Sequence, residues 1–383
     1  MLQKTKIFFS IRSLNRGGAE RQFLSLVKHI DKKKFEVVVC TMYHGVLDSE
    51  LKTIPGIRHV FLGKKGRFDI IGFLFRYIRI INQEDPQVIY SFLGEMNIAS
   101  FIGKFFVSNP FKLIWGFRAS DMDLSHYGLF SRVIFKLQKW FSPFVDCIIA
   151  NSHASVQYHK KQGFFVKRSE VISNGIDVGK FSYSEENRTM LRSRLHLDES
   201  DIVVGVVARM DPMKGHVFFS RVMKKLFTKN PRVKCLFVGK EESMIKNECL
   251  DILESDRDKI VFLGEYPHTE EVYSALDIFV SPSVFGEGFS NSIAEAMSTG
   301  REVVTTDIGD ASLIVGKCGR VVPPLDELLM EKVLVESMDD LTQREEKINL
   351  DARKRILENF SISVMVQKSE KLILDTLKRG TNE

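Results

Sequence analysis

The sequence predicts an α/β protein built from two doubly wound domains, and three observations carry that expectation. The chain has 383 residues, long for a single hydrophobic core of roughly 100 to 200 residues. Short β-branched or aromatic runs alternate with longer segments of 3.6-residue period, the pattern of a parallel sheet with helices on both faces. The polar stretch Ser182-Tyr183-Ser184-Glu185-Glu186-Asn187-Arg188 breaks that alternation, which restarts with the very apolar run Ile202 to Ala208. The domains are therefore expected over 1–181 and 182–360, with a helix over about 361–380 packing back onto the first.

In the first domain the runs at 5–11, 35–41, 57–62, 87–92, 112–117 and 145–150 read as strands, with helices between them. In the second, strands are expected at 202–208, 233–238, 259–263, 277–281, 302–306 and 319–322. Open sheets of this class bind ligands outside the carboxyl ends of their strands, so residues just after strands are the first candidates for function.

Composition narrows the classes. Hydrophobic residues at 44%, charged ones at 27% and a mean hydropathy of -0.07 fit neither long disorder nor a membrane bundle. The longest apolar region, Ile70 to Ile81, is interrupted by Arg76 and Arg79, and no run approaches the roughly 18 apolar residues of a spanning helix. The start, Lys4-Thr5-Lys6 before Ile7-Phe8-Phe9, is too short in apolar content for a signal-peptide core. A cytoplasmic location is expected. Five scattered cysteines without a C-x-x-C pair read as buried free thiols, and nine histidines without an H-x-x-x-H pair leave a metal cage unsupported. Net charge is +12 over residues 1–185 and -6 over 186–383. The basic half suggests an anionic partner: nucleic acid, a phosphorylated lipid or an acidic membrane surface.

The motifs follow the strand ends. Asn15-Arg16-Gly17-Gly18-Ala19-Glu20-Arg21 leads from the first strand into an amphipathic segment. Paired glycines let backbone amides approach a phosphate at a helix N-terminus, although a simple tight turn would read the same. Neither G-x-G-x-x-G nor a P-loop pattern occurs, which removes support from dinucleotide oxidoreduction and P-loop hydrolysis. After the strand at 202–208, Arg209 and Lys214 flank one short loop. A guanidinium fork with an ammonium suits a diphosphate, and the bland alternative is two surface charges. The strongest signal is Phe285-Gly286-Glu287-Gly288-Phe289-Ser290-Asn291-Ser292-Ile293-Ala294-Glu295. On one continuous helix Glu287 and Glu295 would stand about 12 Å apart. Gly288 and a cap at Ser290 or Asn291 instead put Glu287 in the loop and Glu295 one turn inside the helix. Two carboxylates beside exposed amides could hold two polyols with an anion between them, the order of groups in a nucleotide sugar.

With these residues in view, the chain resembles family 4 of the retaining glycosyltransferases, which have the GT-B fold of two Rossmann-like domains facing a central crevice. The resemblance rests on Gly17-Gly18-Ala19-Glu20-Arg21, Ser173-Asn174-Gly175-Ile176-Asp177, Arg209 with Lys214, Glu287 with Glu295, Thr306-Asp307 and Val322-Pro323-Pro324, in the expected order along the chain. It implies that Arg209 and Lys214 hold the donor diphosphate and that Glu287 contacts the transferred sugar, these three being the catalytic candidates. Glu295 would meet the ribose. Gly17, Gly18, Gly288, Phe289, Ser290 and Asn291 would contact phosphate or sugar, and Gly264 and Tyr266 would face the base. Arg118, Asp121 and Asn174 are candidates for the acceptor side. The chain departs from the family pattern at Gly300-Arg301-Glu302 and Gly309-Asp310.

The implied function is metal-independent transfer of a sugar, with retention, from a nucleoside diphosphate sugar to an acceptor hydroxyl. No cofactor is implied beyond that donor, expected to be UDP-linked. The expected acceptor is a lipid-linked saccharide of surface polysaccharide synthesis, O-antigen or capsule. The alternatives are a nucleotide-sugar epimerase of the same architecture and a non-catalytic sugar-nucleotide binder. Nucleic-acid binding lacks a recognition motif.

Lys64-Lys65-Gly66-Arg67-Phe68 before an apolar, arginine-bearing helix suggests peripheral contact with anionic membrane. The stripe Phe68, Ile71, Phe75, Ile78 and Ile81 reads first as the core face of that helix, with insertion into a membrane surface as the alternative. His153 after Ala150-Asn151-Ser152 reads as a structural histidine, with a place in the crevice wall as the alternative. The 30 phenylalanines read mostly as core.

Overall fold

Fully apolar strands demand cover on both faces, and both sheets obtain it from helices. The computed structural model describes residues 4–15, 17–66, 68–118, 128–165, 167–343 and 348–379. The chain divides into two compact units, 1–175 with 362–383 and 176–361. The observed boundary therefore precedes the expected one by six residues. Ile176 and Phe181 already pack in the core of the second unit, with Leu191 and Phe360.

The first unit carries strands β1 (Thr5–Ile11), β2 (Phe35–Thr41), β3 (Ile57–Phe61), β4 (Val88–Phe92), β5 (Lys112–Phe117), β6 (Cys147–Ala150) and β7 (Ser169–Val171). They form one sheet in the order β3-β2-β1-β4-β5-β6-β7. Every pairing is parallel. Strand β7 escaped the sequence reading because Ser169-Glu170-Val171 is three residues long, half polar and paired only to β6. The helix Ile362–Lys378 returns to pack on the helix Gly18–His29, and Glu370 Oε1 accepts from the Asp31 amide at 2.8 Å.

The second unit carries β8 (Ile202–Val207), β9 (Val233–Val238), β10 (Ile260–Gly264), β11 (Ile278–Ser281), β12 (Glu302–Thr306) and β13 (Arg320–Val322). Their order is β10-β9-β8-β11-β12-β13, again parallel throughout. Asp277 ties β11 to its surroundings by accepting from Arg188 at 3.0 Å, from Arg192 at 2.6 Å and from the Val203 amide at 2.7 Å. Arg192 is buried and donates also to the carbonyls of Ala275, Asp198 and Asp201.

In each sheet the order reverses between two neighbours, β1 with β4 and β8 with β11. Loops leaving these strands diverge to opposite faces and open a crevice at the carboxyl ends. The motifs at 12–18, 208–216 and 282–291 all leave one of these four strands.

Several sequence expectations need correction. Along the helix Ile70–Glu84 the core face is Phe73, Tyr77 and Ile81, whereas Phe68, Ile71 and Phe75 face solvent. The expected stripe thus holds only at Ile81, because Phe73, Tyr77 and Ile81 repeat every four residues and include the ring that packs on Phe8 at 6.0 Å. Most phenylalanines are buried or half-buried, as expected, and Phe105, Phe106, Phe144 and Phe165 are among the exposed ones. His153 opens the helix His153–Lys161 and is exposed, while the buried histidine of that helix is His159. Arg301, in one of the departures from the family pattern, is buried with its guanidinium 4.5 Å from the Tyr183 ring centroid, donating to Leu276 O at 3.0 Å. Among the described residues no helix is long and apolar enough to cross a membrane.

Candidate active site

The loop after β8 is shaped by two local devices. The Asp211 carboxylate accepts from the Met213 amide at 3.1 Å and caps the short turn Pro212–Lys214. Gly215 then adopts a left-handed conformation with φ 68°, and a Cβ there would fall 1.9 Å from the Pro282 carbonyl oxygen. Only glycine lets this backbone lie so close to the loop after β11. The approach is completed by the Val284 amide, which donates to Met213 O at 2.8 Å.

That contact brings Lys214 to Glu287. Their side chains form an ion pair, with 19% and 11% of their surfaces exposed. Ser283 Oγ donates to the same Glu287 oxygen at 2.7 Å. Lys214, Ser283, Glu287 and Ser292 line one small cavity with Ala208 and Pro282. Arg209 shares the loop but not the contact: it is 63% exposed and pairs with Asp211 at 3.2 Å.

Glu287 lies in the loop and Glu295 lies within the helix Asn291–Ser298, whose N-cap is Ser290. This helix begins soon after β11, and the first turn of a helix is a place where an anion is favoured. Glu295 is held by the Tyr273 hydroxyl, which donates at 2.8 Å. The loop Glu287-Gly288 is braced from behind by Gly309, at φ 66°, where a Cβ would meet both of its carbonyl oxygens at 2.6 Å. Asp310 adds a bond from its amide to Gly288 O at 3.0 Å. The Gly309-Asp310 departure therefore retains the one glycine that this approach requires. Phe289 turns its ring inward, 5.4 Å from Phe360. At the end of β10, Gly264 at φ 72° accepts from the Gly239 amide at 2.8 Å. The Tyr266 hydroxyl donates to Glu271, and that bond pushes its pKa upward.

Thus Lys214 and Glu287 meet, with Glu295, Ser290 and Asn291 on the helix that follows and Arg209 on the outer edge of the same loop. Gly264 and Tyr266 stand at the end of β10 in the same sheet. Ser283 and Tyr273, which fix the two carboxylates, were missed by the sequence reading. Ser283 follows β11 directly and its position could have flagged it, whereas Tyr273 lies on the helix Thr269–Ala275 with no spacing signal. Among the described residues no group of three or more His, Cys, Asp or Glu stands in metal-binding geometry.

Gly17 and Gly18 belong to the first unit, where Gly17 is the N-cap of the helix Gly18–His29. A cavity of about 510 Å³ lies at the β1/β4 reversal, lined by Arg12, Ser13, Asn15, Glu20, Tyr43, His44 and Leu93, and neither glycine is part of its lining. Leu93 has φ 70°, a conformation that costs a branched side chain energy and is kept at sites that need it. It too was missed, since nothing in a leucine announces a positive φ. Arg118 and Asn174 are brought together: the guanidinium donates to Asn174 Oδ1 at 3.3 Å and to the Tyr90 hydroxyl at 3.2 Å, over the Phe92 ring. Burial pushes the Tyr90 hydroxyl up to about 12. Gln22 holds Gly175 through both backbone groups, at 3.1 and 2.8 Å. Asp121 lies outside the described residues.

Two family models match this chain, one in each unit. The model described as Glycosyltransferase Family 4 covers residues 16–180, and the model described as Glycosyl transferases group 1 covers 201–340. The chain is a glycosyltransferase with a Family 4 domain followed by a group 1 domain. A Campylobacter jejuni N-acetylgalactosaminyltransferase, named for a diphospho-undecaprenol substrate, is 26% identical over 80% of this glycosyltransferase and 81% of its own length. The lipopolysaccharide core biosynthesis mannosyltransferase LpsB of Rhizobium meliloti is 30% identical over 51% of this chain and 56% of its own. The Anabaena protein HepE, whose crystal structure contains UDP and glucose, superposes with a TM-score of 0.80 at 20% identity, over 97% of this chain and all of its own. That likeness extends to the GT-B fold, and this glycosyltransferase shares it.

Proposed function

We propose that this glycosyltransferase moves a sugar, with retention and without a metal ion, from a UDP-linked donor to a lipid-linked saccharide during surface polysaccharide synthesis. The observation that carries the reading is the Lys214–Glu287 pair at the β8/β11 reversal, beside a helix N-terminus. A donor entering there exchanges this internal pair for two complementary ones. Lys214 turns to the diphosphate and Glu287 accepts from sugar hydroxyls. Arg209, exposed on the loop, swings from Asp211 to the phosphates, and Glu295 accepts from the ribose.

The chemistry is leaving-group stabilisation. As the bond between the anomeric carbon and the phosphate oxygen breaks, Lys214, Arg209 and the amides of residues 289–291 face the charge that develops on the diphosphate. The acceptor oxygen bonds to the same face of the anomeric carbon, and its proton passes to the departing phosphate oxygen. Two protein cations do the work that a divalent ion would otherwise do, which supports metal independence. Relatives named for lipopolysaccharide core synthesis and for a diphospho-undecaprenol substrate support the lipid-linked acceptor. The exposed Phe68, Ile71 and Phe75 near Lys64 and Lys65 support peripheral contact with anionic membrane at the cytoplasmic face.

The test is nucleotide release from a panel of UDP-sugars with a lipid-diphosphate saccharide, in excess EDTA. Release that needs the acceptor and survives EDTA agrees with the proposal. Interconversion of the nucleotide sugars without any acceptor would instead favour the epimerase, and donor binding without turnover the silent binder.

A further inference from the structure

Beside the cavity at the β1/β4 reversal lies a second, apolar one. Its volume is about 630 Å³, and three helices of the first unit wall it: Ile70–Glu84, Gly94–Gly103 and Leu129–Phe141. Leu74, Ala99, Ile102, Val133, Ile134 and Leu137 form its sides. It is open along one edge, since Ile70, Phe130 and Val133 line it and are 46%, 36% and 43% exposed. Exposed apolar groups are ordinary when scattered, but here they rim one continuous groove.

The groove has a polar, cationic end. Arg12 and Lys64 each stand 5.8 Å from the ring centroid of Tyr43, and Lys64 Nζ donates to its hydroxyl at 3.3 Å. Arg12 pairs with Glu95 at 3.2 Å across the mouth. Arg12 and Tyr43 also line the strand-end cavity, so the two spaces share a wall. A ligand filling both would have an apolar tail, an anionic head at Arg12 and Lys64, and hydroxyls directed towards Asn15, Glu20 and Leu93.

We propose that this groove holds the hydrocarbon chain of the acceptor, a prenyl or acyl chain whose phosphate or diphosphate lies at Arg12 and Lys64. The proposal rests on the lipid-linked acceptor put forward above and adds where the lipid is read. The first carbons after the phosphate are drawn out of water by the three helices, while the remainder of a long chain leaves through the open edge between Ile70 and Val133. The groove volume suits only part of a long polyprenyl chain, so affinity rises with the first carbons and then levels off.

The experiment compares KM for acceptors that carry one saccharide diphosphate on chains of increasing length, without vesicles. In the wild type, KM falls at least about tenfold between a methyl and a ten-carbon chain, because each buried methylene is worth roughly fourfold in affinity. In Leu74→Trp/Val133→Trp, which fills the groove from two helices, that ratio collapses towards one, while the control Met244→Trp, exposed on the second unit, keeps it. Val133→Glu, at a position 43% exposed, gives the same collapse should the double variant not fold. Calorimetry supplies a readout free of turnover: farnesyl diphosphate binds the wild type at least about tenfold more tightly than inorganic diphosphate, and Val133→Glu erases the difference. An unaltered chain-length ratio in the variants overturns the groove and leaves the lipid-linked acceptor standing. Turnover on a free oligosaccharide with none on any lipid-linked form overturns both.

Discussion

Replacing Lys214 by methionine removes the cation from the Glu287 carboxylate and keeps most of the side-chain volume. Glu287 would retain the Ser283 hydroxyl at 2.7 Å as a neutral donor. A contact pair at an effective dielectric constant near 20 is worth about 4 kcal/mol, and stripping one partner from a buried pair costs about 3 to 5 kcal/mol. With 19% and 11% of the two side chains exposed, water relieves part of that, and we expect a loss of about 2 kcal/mol in unfolding free energy. Activity should fall further, by roughly 10²- to 10³-fold in kcat/KM, the usual effect of removing one group that stabilises developing charge. The double variant Lys214→Met/Glu287→Gln separates the two effects. It removes both charges, so stability should return to within about 1 kcal/mol of the wild type. Activity should stay low because only Arg209 then remains to face the diphosphate of the proposed complex. Urea unfolding and nucleotide release, measured on the same preparations, complete the cycle. Recovery of turnover along with stability would refute a catalytic role for the pair and reduce it to a structural contact.

Three further outcomes follow from the geometry. Gly215→Ala should cost about 2 kcal/mol or more and lower activity, because the added Cβ collides with Pro282 O in a left-handed backbone and pushes Lys214 from Glu287; a thermal melt and turnover like the wild type would contradict it. Arg192→Met, which leaves Asp277 with Arg188 and the Val203 amide and takes one donor each from the carbonyls of Ala275, Asp198 and Asp201, should destabilise by about 2 kcal/mol in urea, and a change below about 0.5 kcal/mol would dismiss Arg192 as a contributor. Burial pushes the imidazoles of His159 and His216 down to about 4 from an ordinary 6.5. The unfolded chain therefore takes up these protons first as pH falls: stability is full above pH 6.5 and is lost between 6.5 and 4, by about 3 kcal/mol per histidine. Urea midpoints at pH 7.5 and 5.0 for the wild type and His216→Phe measure it, and an equally steep fall in the variant would exclude His216.

What could be read from the sequence was set by period and by short-range chemistry. Strands buried on both faces are short apolar runs bounded by turns, so all but one of the strands were legible, and β7 was not because three half-polar edge residues carry no pattern. The helix start at Asn291 was legible from Gly288 and Ser290, because capping depends on neighbours within a few residues. Side-chain partnerships across the sheet were not. Ser283 and Tyr273 reach the two glutamates only after β11 and the helix Thr269–Ala275 have packed, and Arg209 turns to Asp211 within its own loop. The helix Ile70–Glu84 misled because two apolar faces coexist on it, and only packing shows that Phe73, Tyr77 and Ile81 face the sheet. The groove described above was invisible for the same reason, as its walls come from three helices separate in sequence.

The central claim is that the second unit binds a nucleoside diphosphate sugar through Lys214 and Glu287 and that the sugar leaves with its configuration kept. It is tested most directly by proton NMR of the reaction between a UDP-sugar accepted in the donor panel and a lipid-diphosphate saccharide, in EDTA, for the wild type and Lys214→Met/Glu287→Gln. The account predicts a glycoside with the anomeric configuration of the donor and at least about a hundredfold slower formation in the double variant. An inverted product, a strict requirement for manganese or magnesium, or equal rates in the two proteins would contradict it.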